Sequence, residues 1–184
     1  MSVNRATMQG AFDIVEMFQK EGVPAIIAGG AARDIYFGVR PKDIDVIIAG
    51  ISMATAAEIL EKVGIISVGF HIYNGAATDR LLGGYKLVGT DIDICVYDCD
   101  DVMDAVDSFD FNLNQFIISG IQHGIDGAHV RFVGARHWSI LVPVRKDYTK
   151  ERHDKMQVKW LDLSYRRATG EAVEVPVGGP DGAF

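Results

Sequence analysis

Gly29-Gly30-Ala31-Ala32-Arg33-Asp34-Ile35-Tyr36-Phe37-Gly38-Val39-Arg40-Pro41-Lys42-Asp43-Ile44-Asp45-Val46 is the stretch on which the fold of this chain turns. Residues 24–28 before it are apolar and strand-sized. They run into two glycines, which allow a ligand close to the backbone. Residues 31–37 read as a helix ended by Gly38 and Pro41. Its first N–H groups and positive dipole end suit a phosphate. Arg33, in that first turn, has a guanidinium able to grip a phosphate through two N–H groups. Residues 43–49 then form a second strand. Asp43 and Asp45 are two apart on it, so their carboxylates share a face. Such a pair repels unless a cation sits between its members. Mg2+ takes a few carboxylates together with substrate phosphate oxygens. The pattern predicts metal-assisted phosphoryl or nucleotidyl transfer. A Gly pair or an Asp-x-Asp alone is common in turns and on surface strands. Their order and spacing, with apolar flanks, carry the prediction.

Outward from this stretch, residues 8–20 space Met8, Phe12, Val15 and Phe18 as an amphipathic helix, stopped by Gly22. Residues 53–63 read as another helix, ended by Gly64. A strand is expected over 65–72 and a loop over 75–80. Residues 84–89 and 92–97 form a hairpin around Gly89-Thr90-Asp91. A short acidic helix covers 100–106, and 111–119 is apolar and ambiguous between helix and strand. Residues 129–133 read as a strand, and 146–167 as a long, mostly polar helix. Helices alternate with strands early, and strands later follow one another directly. That order predicts an α+β fold with a mixed, mostly antiparallel sheet flanked by helices, followed by a basic helical segment.

The 184 residues are 48% hydrophobic and 23% charged, which excludes wholesale disorder and a disulfide-stapled scaffold. Two cysteines, Cys95 and Cys99, are too few for a zinc cage or a secreted framework. With no apolar segment behind the N-terminus and no run long enough to span a bilayer, the expected setting is the cytoplasm, without a membrane partner. The net charge of −7 argues against blanket attraction to nucleic acid. It is unevenly spread: −10 up to residue 130, +6 over 131–167 and −3 beyond. A cationic helix beside a nucleotide site suits phosphates, and a salt-bridged helix packed on an acidic head is the equal alternative.

The run from Gly29 to Val46 resembles the signature of the DNA polymerase beta-like nucleotidyltransferase superfamily. More narrowly, it is similar to the head of the bacterial-type (class II) CCA-adding enzymes and poly(A) polymerases. Their signature runs Gly-Gly-x-x-Arg-Asp, a hydrophobic run, Gly-Arg-x-Pro, then Asp-hydrophobic-Asp. Here Gly38-Val39-Arg40-Pro41 departs by one residue. The family's third carboxylate lies between hydrophobic residues on a neighbouring strand. Ile92-Asp93-Ile94 fits best, and Asp91 is the alternative. A further family motif, Arg-Arg-Asp-Phe-x-x-Asn-Ala, contacts the nucleotide. Asp110, Phe111 and Asn114 match it, while Ser108 and Phe109 stand where the arginines would be. Arg33, Arg80 and Lys86 are the cations weighed as replacements. Val130-Arg131-Phe132-Val133-Gly134 is close to the family's Leu-Arg-x-Val-Gly, and Glu151 to Lys155 loosely resembles its Glu-Asp-x-x-Arg.

The resemblance implies a catalytic head over residues 1–135; the polar helical pattern gives a helical extension over 136–169, and the Gly- and Pro-rich end reads as a flexible tail over 170–184. The resemblance also implies two Mg2+ ions, with Mn2+ as a substitute, held by Asp43, Asp45 and Asp93. Gly29, Gly30 and Arg33 would cradle the triphosphate, and Asp110 and Asn114 would meet the nucleotide. The implied reaction moves a nucleoside monophosphate from a nucleoside triphosphate such as ATP to an RNA 3′ end or another acceptor hydroxyl, releasing pyrophosphate. A catalytically weak protein that binds a nucleotide or an RNA end on the same fold is the competing reading. Elsewhere the residues read blandly. The five histidines lack metal-ligand spacing, the acidic run over 98–110 suits a solvated helix face, and Trp138 and Trp160 suit the core.

Overall fold

The computed structural model describes residues 3–71, 80–167 and 174–178. Helix α1 (Arg5–Lys20) starts on an N-cap, Asn4, whose side chain accepts from the Thr7 N–H. It buries Met8, Phe12, Val15 and Phe18, the stripe expected from their spacing. Strand β1 (Ala25–Ala28) leads into α2 (Gly30–Tyr36), and β2 (Ile44–Ala49) into α3 (Met53–Lys62). Strands β3 (Ser67–His71), β4 (Leu81–Leu87) and β5 (Ile92–Tyr97) precede α4 (Val102–Asp107). Strands β6 (Phe116–Ser119) and β7 (His129–Phe132), helix α5 (Lys150–Arg166) and β8 (Glu174–Pro176) complete the described elements.

One sheet runs β3-β4-β5-β2-β1-β6-β7-β8. Among the described strands, β2 and β5 alone pair in parallel; the other pairings are antiparallel. This is the expected α+β architecture. The ambiguous stretch 111–119 divides in two: a 3-10 turn over Asn112–Asn114, then β6, whose Phe-Ile-Ile run is buried between β1 and β7. The loop expected over 75–80 lies outside the described residues except for Arg80.

The stretch expected to be loose at the C-terminal end behaves otherwise where it is described. Glu174–Pro176 pairs with β7, and Val175 and Val177 reach the core on alternate positions. The sheet edge offers backbone partners, and two valines supply enough apolar surface to hold so short a strand. Trp138, Met156 and Leu163 belong to the same buried cluster as α1, α2 and the sheet. Helix α5 is capped by Thr149, whose side chain accepts from the Arg152 N–H, and so starts at Lys150, four residues later than the sequence suggested.

Alternation along two strands positions the site. On β2, Ile44, Val46 and Ile48 enter the main core; on β5, Ile92, Ile94 and Val96 do. The intervening residues face the other side, where Ile47 and Tyr97 pack with Ala105 and Val106 of α4. Asp45, Asp93 and Cys95 therefore share that second face.

Candidate functional site

A cavity of about 370 Å³ opens on this second face. Asp45, Ile47, Cys95 and Tyr97 form its floor. Gly29, Gly30 and Arg33 bound it on one side, and Phe109, Asp110 and Asn114 on another. Arg145 and Arg152 close it from the C-terminal segment. All five residues expected to bind nucleotide thus lie around one opening.

Gly29 has φ +86°, a conformation that L side chains rarely adopt, and this turns β1 sharply into α2. Its N–H donates to the Phe116 carbonyl on β6 at 2.9 Å, which ties the turn to the sheet. Helix α2 is only seven residues long, so its dipole is a lesser resource than the sequence suggested.

Arg33 is held rigidly. Its Nε donates to Asp34 Oδ1 at 2.9 Å and its Nη1 to Asn114 Oδ1 at 2.7 Å. Asn114 Nδ2 donates to Asp110 Oδ1 at 3.0 Å, and Asp110 Oδ2 accepts from Arg152 Nε at 2.7 Å. A continuous hydrogen-bonded chain thus links α2, the 3-10 turn and α5 around the opening. Both ends of the Asn114 amide are used within it.

The carboxylates follow from the parallel register of β2 and β5, which sets Asp45 directly beside Asp93. Asp91 precedes β5, and its carbonyl accepts from the Ile44 N–H. Asp43 sits just before β2, exposed, on the wall of an adjoining groove of about 460 Å³. Asp93 pairs with Lys86 Nζ at 3.2 Å across the β4–β5 ladder. The Asp45 carboxyl is pushed up to about 6, first by burial and then by the negative charges of Asp43 and Asp93. The Cys95 thiol is pushed up as well, by burial first and then by Asp45.

These side chains bear on the expected metal in two ways. Their chemistry fits a hard divalent cation, because three oxygen donors crowd negative charge that such an ion would relieve. Their placement is looser. Among the described residues, no three His, Cys, Asp or Glu side chains gather closely enough to hold a metal ion.

Of the cations weighed from the sequence, Arg33 lines the cavity and Lys86 is engaged by Asp93. Arg145 and Arg152 belong to the basic stretch 131–167 read as suited to phosphates, but were not singled out within it. The signal available was the +6 charge of residues 131–167, but nothing in it singled out two side chains 37 and 42 residues beyond their partners Ser108 and Asp110.

No family model matches the sequence, and comparison with curated proteins gives no match. Solved structures do match. The CCA-adding enzyme of Bacillus stearothermophilus in complex with CTP aligns over 83% of this chain and 37% of its own, at 14% identity and a TM-score of 0.52. The Thermotoga maritima CCA-adding enzyme complexed with tRNA aligns over 64% of this chain and 27% of its own, at 17% identity and a TM-score of 0.47. The fold is like that of the aligned part of the Bacillus stearothermophilus enzyme, the α+β architecture expected from the Gly29–Val46 signature. This chain is similar in that fold to a CCA-adding enzyme, and it spans about a third of the length of the structures it matches. Among the described residues, no helix is long and apolar enough to cross a membrane.

Proposed function

We propose that this chain is a metal-dependent nucleotidyltransferase. It moves a nucleoside monophosphate from a nucleoside triphosphate to an acceptor hydroxyl, an RNA 3′ end or another acceptor. The observation that carries the reading is Asp45 on the floor of a cavity rimmed by Gly29, Gly30 and Arg33, with Asp93 beside it in register on the neighbouring parallel strand. Crowded carboxylates beside an arginine and an open glycine turn suit a polyphosphate bound through a divalent cation.

In this reading Asp43, Asp45 and Asp93 would hold two Mg2+ ions, which when bound would supply Lewis-acid polarisation of the phosphates and lower the pKa of the acceptor hydroxyl. Gly29 and Gly30 let the polyphosphate approach the backbone, and Arg33 faces it from a fixed position. The acceptor oxygen bonds to the α-phosphorus and gives up its proton to solvent, while the bond to the bridging oxygen breaks and pyrophosphate leaves with the electron pair. Asp110 and Asn114, which line the same cavity, fix Arg33 and Arg152 in position beside the nucleotide. The work of the protein is alignment and charge stabilisation.

A second reading, a nucleotide- or RNA-end-binding protein with little turnover, is favoured by two observations: Asp93 is paired with Lys86, and among the described residues the three carboxylates do not gather on one point. Incubation with each α-labelled nucleoside triphosphate, Mg2+ and a set of RNA oligonucleotides separates the two. Pyrophosphate release with label on the acceptor supports the transferase. Tight nucleotide binding without either product supports the binder.

A further inference from the structure

The cavity holds guanidinium groups from three separate places: Arg33 on α2, Arg145 on the segment before α5, and Arg152 in the first turn of α5. Their side chains are 11%, 18% and 40% exposed. Each is aimed by part of its own fork. Arg145 Nε pairs with Asp147 Oδ1 at 3.0 Å, and its Nη1 donates to the Ser108 carbonyl at 2.9 Å. Arg152 uses Nε alone, on Asp110 Oδ2. Among the described residues its two terminal nitrogens bond to nothing, though they belong to a residue that lines the cavity.

A guanidinium offers five N–H donors and cannot shed its charge. A latch that only fastened α5 to the turn at Asp110 would need one of them. Asp45 on the floor and Asp110, which Arg152 already engages, are the acidic groups lining the same space. A ligand bridging that floor and these arginines must be an anion of several oxygens, able to take N–H groups on one side and a shared cation on the other.

We infer that Arg145 and Arg152, delivered by the C-terminal segment, are polyphosphate-binding residues that complete the cavity together with Arg33. The inference rests on the nucleotide reading of the cavity. The segment 145–152 then belongs to the binding site, so the head alone, without it, would hold a triphosphate weakly.

Calorimetric titration of the full chain tests this, with inorganic tripolyphosphate plus Mg2+, nucleoside triphosphates plus Mg2+, and the matching nucleosides. Loss of a charge-assisted hydrogen bond predicts about ten- to hundredfold weaker binding of both phosphate ligands to Arg145→Gln and to Arg152→Gln. Nucleoside binding stays unchanged in both variants. Arg152→Lys keeps the charge opposite Asp110 but loses the fork, so it retains the wild-type Tm while binding tripolyphosphate more weakly than the parent. Equal tripolyphosphate affinity in parent and variants overturns the inference and leaves the nucleotide reading standing. Weakening of nucleoside and tripolyphosphate alike, or only in step with a lower Tm, assigns both arginines a structural role and also overturns it. A parent protein that binds none of the ligands overturns the nucleotide reading itself.

Discussion

Asp45 concentrates the chemistry of the site in one side chain. An aspartate unfolded in water has its usual low pKa, and here the folded environment raises it to about 6. The shift favours the protonated form, so its sign is a cost. Relative to this group the fold is best supported below the unfolded pKa, and that support is lost as pH rises through about 6. Asp45→Asn removes the cost. Its expected effect in metal-free buffer at pH 8 is a Tm raised by about 3–10 °C, from about 1–3 kcal/mol, shrinking towards zero at pH 4. Mg2+ should raise the Tm of the parent and leave that of Asp45→Asn nearly unmoved. Differential scanning fluorimetry at the two pH values, with and without Mg2+, checks both. Gly29 makes the complementary case. Gly29→Ala meets only ordinary contact with the Phe109 ring at 3.7 Å, so its cost is the backbone's at φ +86°. A loss of about 1–2 kcal/mol, read by urea unfolding, is expected. At this scale local spacing was informative about neighbourhood: the glycine pair, Arg33 and Asp45 line one cavity, whereas Asp43, expected on the same strand face, precedes β2 and lines the adjoining groove. That Asp93 rather than Asp91 stands in register with Asp45 depends on the pairing of two strands nearly fifty residues apart.

Among the elements, α5 shows what a one-dimensional pattern conceals. Its sequence is mostly polar, and only Met156 and Leu163 are buried along it. Trp160 adds an anchor, donating from Nε1 to the Trp138 carbonyl at 2.8 Å. Val158, Leu161 and Tyr165 remain exposed on the helix. Leu163→Ala is therefore expected to cost about 2–4 kcal/mol, and Tyr165→Ser within about 0.5 kcal/mol of nothing, both measured by denaturant unfolding. The helix was foreseen, but its role in closing the cavity was not, since Arg152 meets Asp110 across 42 residues. Strand β8 escaped for a related reason. Glu174-Val175-Pro176 has no strand-like run of its own and becomes one only because β7 presents an unpaired edge. Deleting residues 174–184 should uncover Val130 and the β7 edge, and should lower the Tm by several degrees.

Over the whole molecule, an acidic head and a basic segment meet at the cavity, and their union reverses the first impression left by a net charge of −7. Arg152 borders both the cavity and the adjoining groove, where Lys155 and Lys159 stand near Asp43. Among the described residues neither lysine has an acidic partner, so the basic helix is only partly a salt-bridged face. The sheet order and mixed pairing were legible as a class from the alternation of helices and strands, because burial patterns repeat at fixed periods. The way distant segments share one cavity was not, because it depends on side chains meeting through space. The account stands on nucleotidyl transfer at Asp43, Asp45 and Asp93. Its most direct test is single-turnover transfer of α-labelled nucleotide to an RNA 3′ hydroxyl in Mg2+, comparing the parent with Asp43→Ala plus Asp45→Ala. The account predicts labelled acceptor and stoichiometric pyrophosphate from the parent, and at least a thousandfold loss in the double variant with nucleoside binding retained. Transfer that persists undiminished without the two aspartates, or a parent that never releases pyrophosphate with any acceptor, would contradict it.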